Sequence, residues 1–166
     1  MNIQFLTELK DNPSAYPNDT DFKGEIEGIP LSEIEQLEQT WNNGLPFPKA
    51  LRELLFLAGN YCYVLDKGLM ESQQQMQEEA RLWMTYEGQQ RTITRPFYVI
   101  EVRYDEQFTM VYLDEGDNPN VHSISLDHDG EQYLGYGIGW NYNIGKSLKV
   151  FIKGRIDMVK QGRNPF

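Results

Sequence analysis

The chain offers few side chains in patterns that could do covalent chemistry. Residues 139–147, GWNYNIGKS, place a Gly-Lys-Ser triplet between a strand-like run and a helix-like one, the context in which a loop can close around phosphate. Such a loop needs four residues between its first glycine and the Gly-Lys pair, so that successive backbone N–H groups converge. Here five follow Gly139, and Trp140 and Tyr142 fill the arc, so nucleotide binding is not expected. Gly137 and Gly139 read as bends at a strand end, and Gly145 as the approach to a helix cap.

Asp127, His128, Asp129 and Glu131 suggest a metal site, with His122 able to join if its strand folds back. A calcium loop alternates oxygen ligands over about twelve residues and closes on a distant glutamate, which this segment lacks. Zinc wants a closed set of four ligands, and the chain has 2 histidines and 1 cysteine. A hairpin turn accounts better for the segment, and no metal or cofactor is expected. Glu101, Asp114 and Glu115 lie in or just after strand-like runs and could in principle serve as a hydrolytic pair. Carboxylates at strand ends are usually solvated, and no serine sits in a nucleophile elbow. No catalytic residue is assigned.

A binding surface is the better use of these residues. Tyr133, Tyr136, Trp140 and Tyr142 recur near the end of the strand-rich region, and such side chains give large contact areas at low entropic cost. Turns carrying Asp114, Glu115 and Asp117, and Asp127, Asp129 and Glu131, could rim them with negative charge. The acidic segment 19–38 is the next candidate surface. Against this stands packing, since aromatic residues in strands more often fill a core.

The elements that would position these groups follow from periodicity. Ser32 and Glu35 fit a capping box that opens a helix carrying Ile34, Leu37 and Trp41 on one face, and Asn42-Asn43-Gly44 supplies a left-handed stop. Pro48 suits the first position of a second helix, which buries Leu51, Leu54, Leu55 and Ala58 before Gly59-Asn60 ends it. Ser72 can cap a third helix with Met76, Ala80, Trp83 and Met84 at helical spacing. From Phe97 the period shortens: FYVIEVRY, FTMVYLD, VHSISL and EQYLGYGIGW read as four antiparallel strands joined by turns, the last at residues 131–140. Ser147 can cap a final helix burying Leu148, Phe151, Ile152, Ile156 and Val159. The fold class is α+β, a single domain with an antiparallel meander flanked by helices. It comprises an N-terminal helix and extended segment (1–28), a helix pair (29–60), strands with an inserted helix (61–142) and a C-terminal helix (147–162).

The helix pair carries a resemblance. Ile34, Leu37 and Glu38, a break with Leu45 and Pro46, then Leu51, Leu54, Leu55 and Gly59 resemble the opening of the SUKH superfamily, the Smi/Knr-type cell-wall regulators and bacterial toxin-immunity proteins. The order of strands and terminal helix is similar too. Where relatives commonly show Asn-Gly-Gly after the second helix, this chain has Ala58-Gly59-Asn60. The resemblance implies a non-catalytic immunity protein that neutralises a cognate toxin domain, often a nuclease, by direct binding. The alternatives are a regulatory scaffold or a small hydrolase using strand-end carboxylates.

Charge agrees with a basic partner. The 166 residues hold 15 Lys and Arg against 25 Asp and Glu, a net charge of −10, which disfavours nucleic acid. Residues 146–166 are locally basic, with Lys146, Lys149, Lys153, Arg155, Lys160 and Arg163 against Asp157, so the rest is more acidic than the total. A chain of this length buries roughly 70% of its unfolded surface without staples, and Cys62 reads as a small buried hydrophobe. The N-terminus shows no signal-peptide pattern and no run approaches a membrane span, so a soluble cytoplasmic protein is expected.

Overall fold

The structure, a computed structural model, describes residues 1–15, 24–85, 91–103, 107–126 and 140–166. Among these the helices are α1 (Thr7–Asp11), α2 (Leu31–Trp41), α3 (Lys49–Ala58), α4 (Gln73–Trp83) and α5 (Leu148–Lys160). The strands are β1 (Phe97–Arg103), β2 (Gln107–Tyr112), β3 (Asn120–Ser125) and β4 (Asn141–Ser147). They form one antiparallel sheet in the order β1-β2-β3-β4. The chain is an α+β domain, and its first three strands lie where alternation places them.

The fourth strand differs. Residues 131–139 lie outside the described residues, and β4 is the segment that composition assigns to a loop. It pairs Ile124 with Asn141, Ser123 with Tyr142 and Asn120 with Ser147, with a bulge that Gly145 absorbs at φ +75°. As an edge strand it is largely half-buried or exposed, so it lacks the apolar alternation that reveals a strand.

Both sheet faces are covered. Tyr98, Ile100, Val111, Leu113 and Val121 pack with α1, α2, α3 and α5, whereas Phe97, Val99, Met110, Tyr112 and Ile124 pack under α4. A bulge in β1 sets Ile100 and Glu101 together opposite Thr109, and Val102 then returns to the α4 side. This sandwiching explains why β1 is buried almost throughout despite lying at an edge.

The helix starts depart from simple capping. Pro30 is the N-cap of α2 and makes no side-chain cap bond, so the Ser32–Glu35 box does not form. Pro48 is likewise the N-cap of α3, one residue before its expected place. Ser72 does cap α4, its Oγ accepting from Gln75 N at 3.1 Å. At α5, Ser147 holds the N-cap position without a side-chain bond. Asn118 Oδ1 accepts from Lys149 N at 3.1 Å, and Pro119 O from Leu148 N at 2.8 Å. The stop after α2 is left-handed as expected, at Asn43 (φ 52°) and Gly44 (φ 77°).

Buried carboxylates tie loops to this frame. Both Glu53 oxygens accept from the N-terminal segment, from Gln4, Phe5 and Leu6 N–H, each at 2.8 Å. Glu38 accepts from Phe47 N at 2.7 Å, and Asn42 Nδ2 donates to the carbonyls of Leu45 and Pro46. The joint between α2 and α3 is thus held by side chains, with Leu45 itself exposed.

Candidate functional site

The turn after β2 brings Asp114, Glu115 and Asp117 together, but each acid meets a cation. Arg95 Nε donates to Asp114 Oδ2 at 3.1 Å, and its Nη2 reaches Asp114 Oδ1 and Glu115 Oε1. The guanidinium also lies 3.9 Å from the centre of the Tyr112 ring. Its hydrogen bonds hold the Asp114 carboxyl below the usual carboxylate range. Asp117 pairs with Lys49 at 2.7 Å while its carbonyl accepts from Ala50 N, fastening the turn to the start of α3. Local neutralisation leaves this turn a weaker source of negative potential than its sequence suggests.

The candidate aromatics divide between the two faces. Trp140 is half-buried against the α4-side core, with the Arg91 guanidinium 5.2 Å from its ring. Tyr142 sits opposite Ser123 in the register and lines a cavity on the α5 side. They therefore do not build one anchor. Asp127, Asp129, Glu131, Tyr133 and Tyr136 lie outside the described residues. Below Arg95, His122 packs edge-on to Tyr112 with ring centres 4.7 Å apart and lies 3.8 Å from Glu115. Burial lowers its pKa, and among the described residues Nε2 has no hydrogen-bond partner.

Glu101 overturns the expectation of a solvated strand-end acid. It is fully buried, and its oxygens accept from Arg155 Nη1 at 2.6 Å, Arg155 Nη2 at 2.9 Å, Thr109 Oγ1 at 2.9 Å and Arg103 Nε at 3.2 Å. Arg155 also donates to Val64 O at 2.8 Å and stacks on Phe151, so it belongs to the interior and not to the wet face of α5. A carboxylate so engaged is an acceptor within a fixed network, a poor position for a general acid or base. The signal for the pair was the charge of Arg155 between apolar Ile152 and Ile156 on α5.

A second acidic surface carries fewer cations. Glu25 bridges to Ser14 and Glu27 to Tyr61, Glu33 and Glu35 project from α2, and Glu71, Glu78 and Glu79 stand in or beside α4. The two helices are joined by Trp41 Nε1 donating to Gln74 Oε1 at 3.0 Å and by Arg81 stacked between Trp41 and Phe97. Among the described residues none of these glutamates forms an ion pair within 4.0 Å. Arg81 is committed to the carbonyls of Gln77 and Phe97, and Lys67 to that of Gly59. Next to this surface a groove of about 610 Å³ is lined by Leu69, Met70, Trp83, Val102 and Phe166 among others, and Leu69 is 95% exposed.

Among the described residues no three His, Cys, Asp or Glu side chains gather as a metal site, and no helix is long and apolar enough to cross a membrane. Comparison with protein-family models, curated proteins and solved structures returned no match.

Proposed function

We propose that this chain is a non-catalytic immunity-type protein that acts in the cytoplasm by binding and occluding a basic toxin domain. The SUKH-like helix pair supports the class of function. One observation supports the mode: Glu25, Glu27, Glu33, Glu35, Glu71, Glu78 and Glu79 make no ion pair among the described residues, whereas Asp114, Glu115 and Asp117 are largely offset by Arg95 and Lys49. Unpaired surface carboxylates project their field into solvent and steer a cationic partner, raising association rates by about 10 to 1000-fold at low salt. A toxin nuclease presents such a surface where it receives nucleic acid.

The docking face in this proposal is the α2–α4 side, with the exposed Leu31 among the charges as an apolar contact. The test is co-expression with the toxin domain encoded beside this gene, measuring survival of the host and complex formation between the purified proteins. A stable complex and rescued growth are expected. A neighbouring product that binds without being toxic favours a scaffold role, and growth arrest unaffected by this chain rejects the proposal.

A further inference from the structure

Between the sheet and α5 lies a polar cavity of about 180 Å³ whose walls include Arg103, Arg155, Gln107, Thr109, Ser123 and Tyr142. A cavity needs only about 10–15 Å³ of such space to hold a water, so this one admits several and is large enough for one small polyatomic ion.

Charge around this cavity does not balance. Arg103 and Arg155 share a single carboxylate, Glu101, leaving one excess positive charge among these three groups. Glu101 takes one N–H of Arg103, through Nε, and among the described residues the Nη1 and Nη2 groups of Arg103 make no hydrogen bond. Arg155 keeps Nε and one Nη2 hydrogen after serving Glu101 and Val64. Thr109 spends its proton on Glu101 and offers no donor. Ser123 and Tyr142, register partners across β3 and β4, both line this space.

We propose that this cavity binds a single small oxyanion of the phosphate class. Arg103 supplies the guanidinium fork, a geometry matched to two oxygens of one anion. Ser123 and Tyr142 add neutral donors, and Arg155, its side chain 9% exposed, supplies a fixed positive charge beneath. Glu101 does not exclude the ion, because its oxygens are already occupied by Arg155, Arg103 and Thr109. The same carboxylate holds both arginines in place before the ion arrives, which lowers the ordering cost of binding.

The probe is inorganic phosphate, titrated against chloride at constant ionic strength and followed by amide NMR. Thermal shift is unsuitable because phosphate stabilises folded proteins by exclusion from their surface. One saturable site is expected, with shifts centred on Arg103, Ser123 and Tyr142. Arg103→Gln should weaken binding about tenfold or more and Ser123→Ala about threefold, whereas Lys49→Gln, at an exposed surface pair, should change nothing. Non-saturating shifts, or a folded Arg103→Gln variant that binds as tightly as wild type, overturns the proposal. If Arg103→Gln does not fold, Ser123→Ala decides: unchanged affinity rejects the site and weakened affinity supports it.

Discussion

Glu101 on β1 and Arg155 on α5 lie 54 residues apart and meet in a two-pronged ion pair whose carboxylate is fully buried. Stranding a buried charge typically costs about 3–5 kcal/mol, an upper bound here because Glu101 without Arg155 keeps Arg103 and Thr109. Arg155→Met should therefore lower unfolding free energy by up to about that amount in urea titration. The double variant Glu101→Gln, Arg155→Met should recover part of the loss, since no net buried charge is left by the pair. A single variant within about 0.5 kcal/mol of wild type would mean the charge is solvated after all.

The Glu53 carboxylate holds the N-terminal segment by three backbone donors. Glu53→Gln replaces acceptor oxygens by an amide that can satisfy fewer of them, and loss of charge-assisted bonds costs about 1–3 kcal/mol. Hydrogen exchange should accelerate at Gln4, Phe5 and Leu6 before it does in β2. Unchanged protection at those amides would show that packing of Leu6 and Leu9 alone holds the segment.

Three serines carry the sequence signature of an N-cap, and the structure separates them. Ser72 makes the bond, while Ser32 lies inside a helix that starts at Leu31 and Ser147 leaves Lys149 N to Asn118. Ser72→Ala should cost about 1 kcal/mol, a value typical of a lost cap. Ser32→Ala and Ser147→Ala should fall within about 0.5 kcal/mol of wild type by the same denaturation assay. A cost at Ser147 equal to that at Ser72 would show that Asn118 is not the working cap.

These serines also show what periodicity can and cannot reveal. Apolar spacing locates α2 to α5 and β1 to β3 because each buries one face or both, and Leu51, Leu54, Met76, Ile152 and Ile156 are all interior as spaced. It does not reveal β4, whose half-buried and exposed positions lack an apolar alternation between core and water. Roles set by distant partners leave no local trace. Nothing local to Glu101, Glu53 or Glu38 announces the partners the fold brings to them, Arg155, the N-terminal amides and Phe47. The same holds for Asp114, whose acidity is visible in sequence and whose neutralisation by Arg95 is not.

Lys67 gives the chain a distinctive alkaline response. Burial pushes its ammonium down to about 8, against attraction from Cys62, Glu27 and Glu33. Between that value and the ordinary lysine range the unfolded chain binds the extra proton, so stability rises with pH across this window. The Cys62 thiol, raised by burial to about 11, acts oppositely above its ordinary value of 9.0, because there the unfolded chain ionises first. Relative to Lys67→Met, the wild type should therefore gain stability from pH 8 to about pH 9, below the range in which Cys62, coupled to Lys67, begins to titrate in the unfolded chain. A flat difference curve would place the Lys67 ammonium in water.

The docking face is read most directly from association kinetics. Glu35, Glu78 and Glu79 carry charge on α2 and α4 without a cation within ion-pair distance among the described residues, whereas Asp114 already holds Arg95. Reversing the three glutamates to lysine should slow association with a cognate basic domain by about tenfold or more at low salt, and should flatten its salt dependence. Dissociation should change little, since rim charges act mainly on encounter. Asp114→Lys should affect association less, and it should also disturb the Arg95–Tyr112 stack, detectable in the Tyr112 ring resonances. If Asp114→Lys slows association and the helix triple variant does not, the partner docks on the turn after β2. The α2–α4 face would then be no more than a solvated surface.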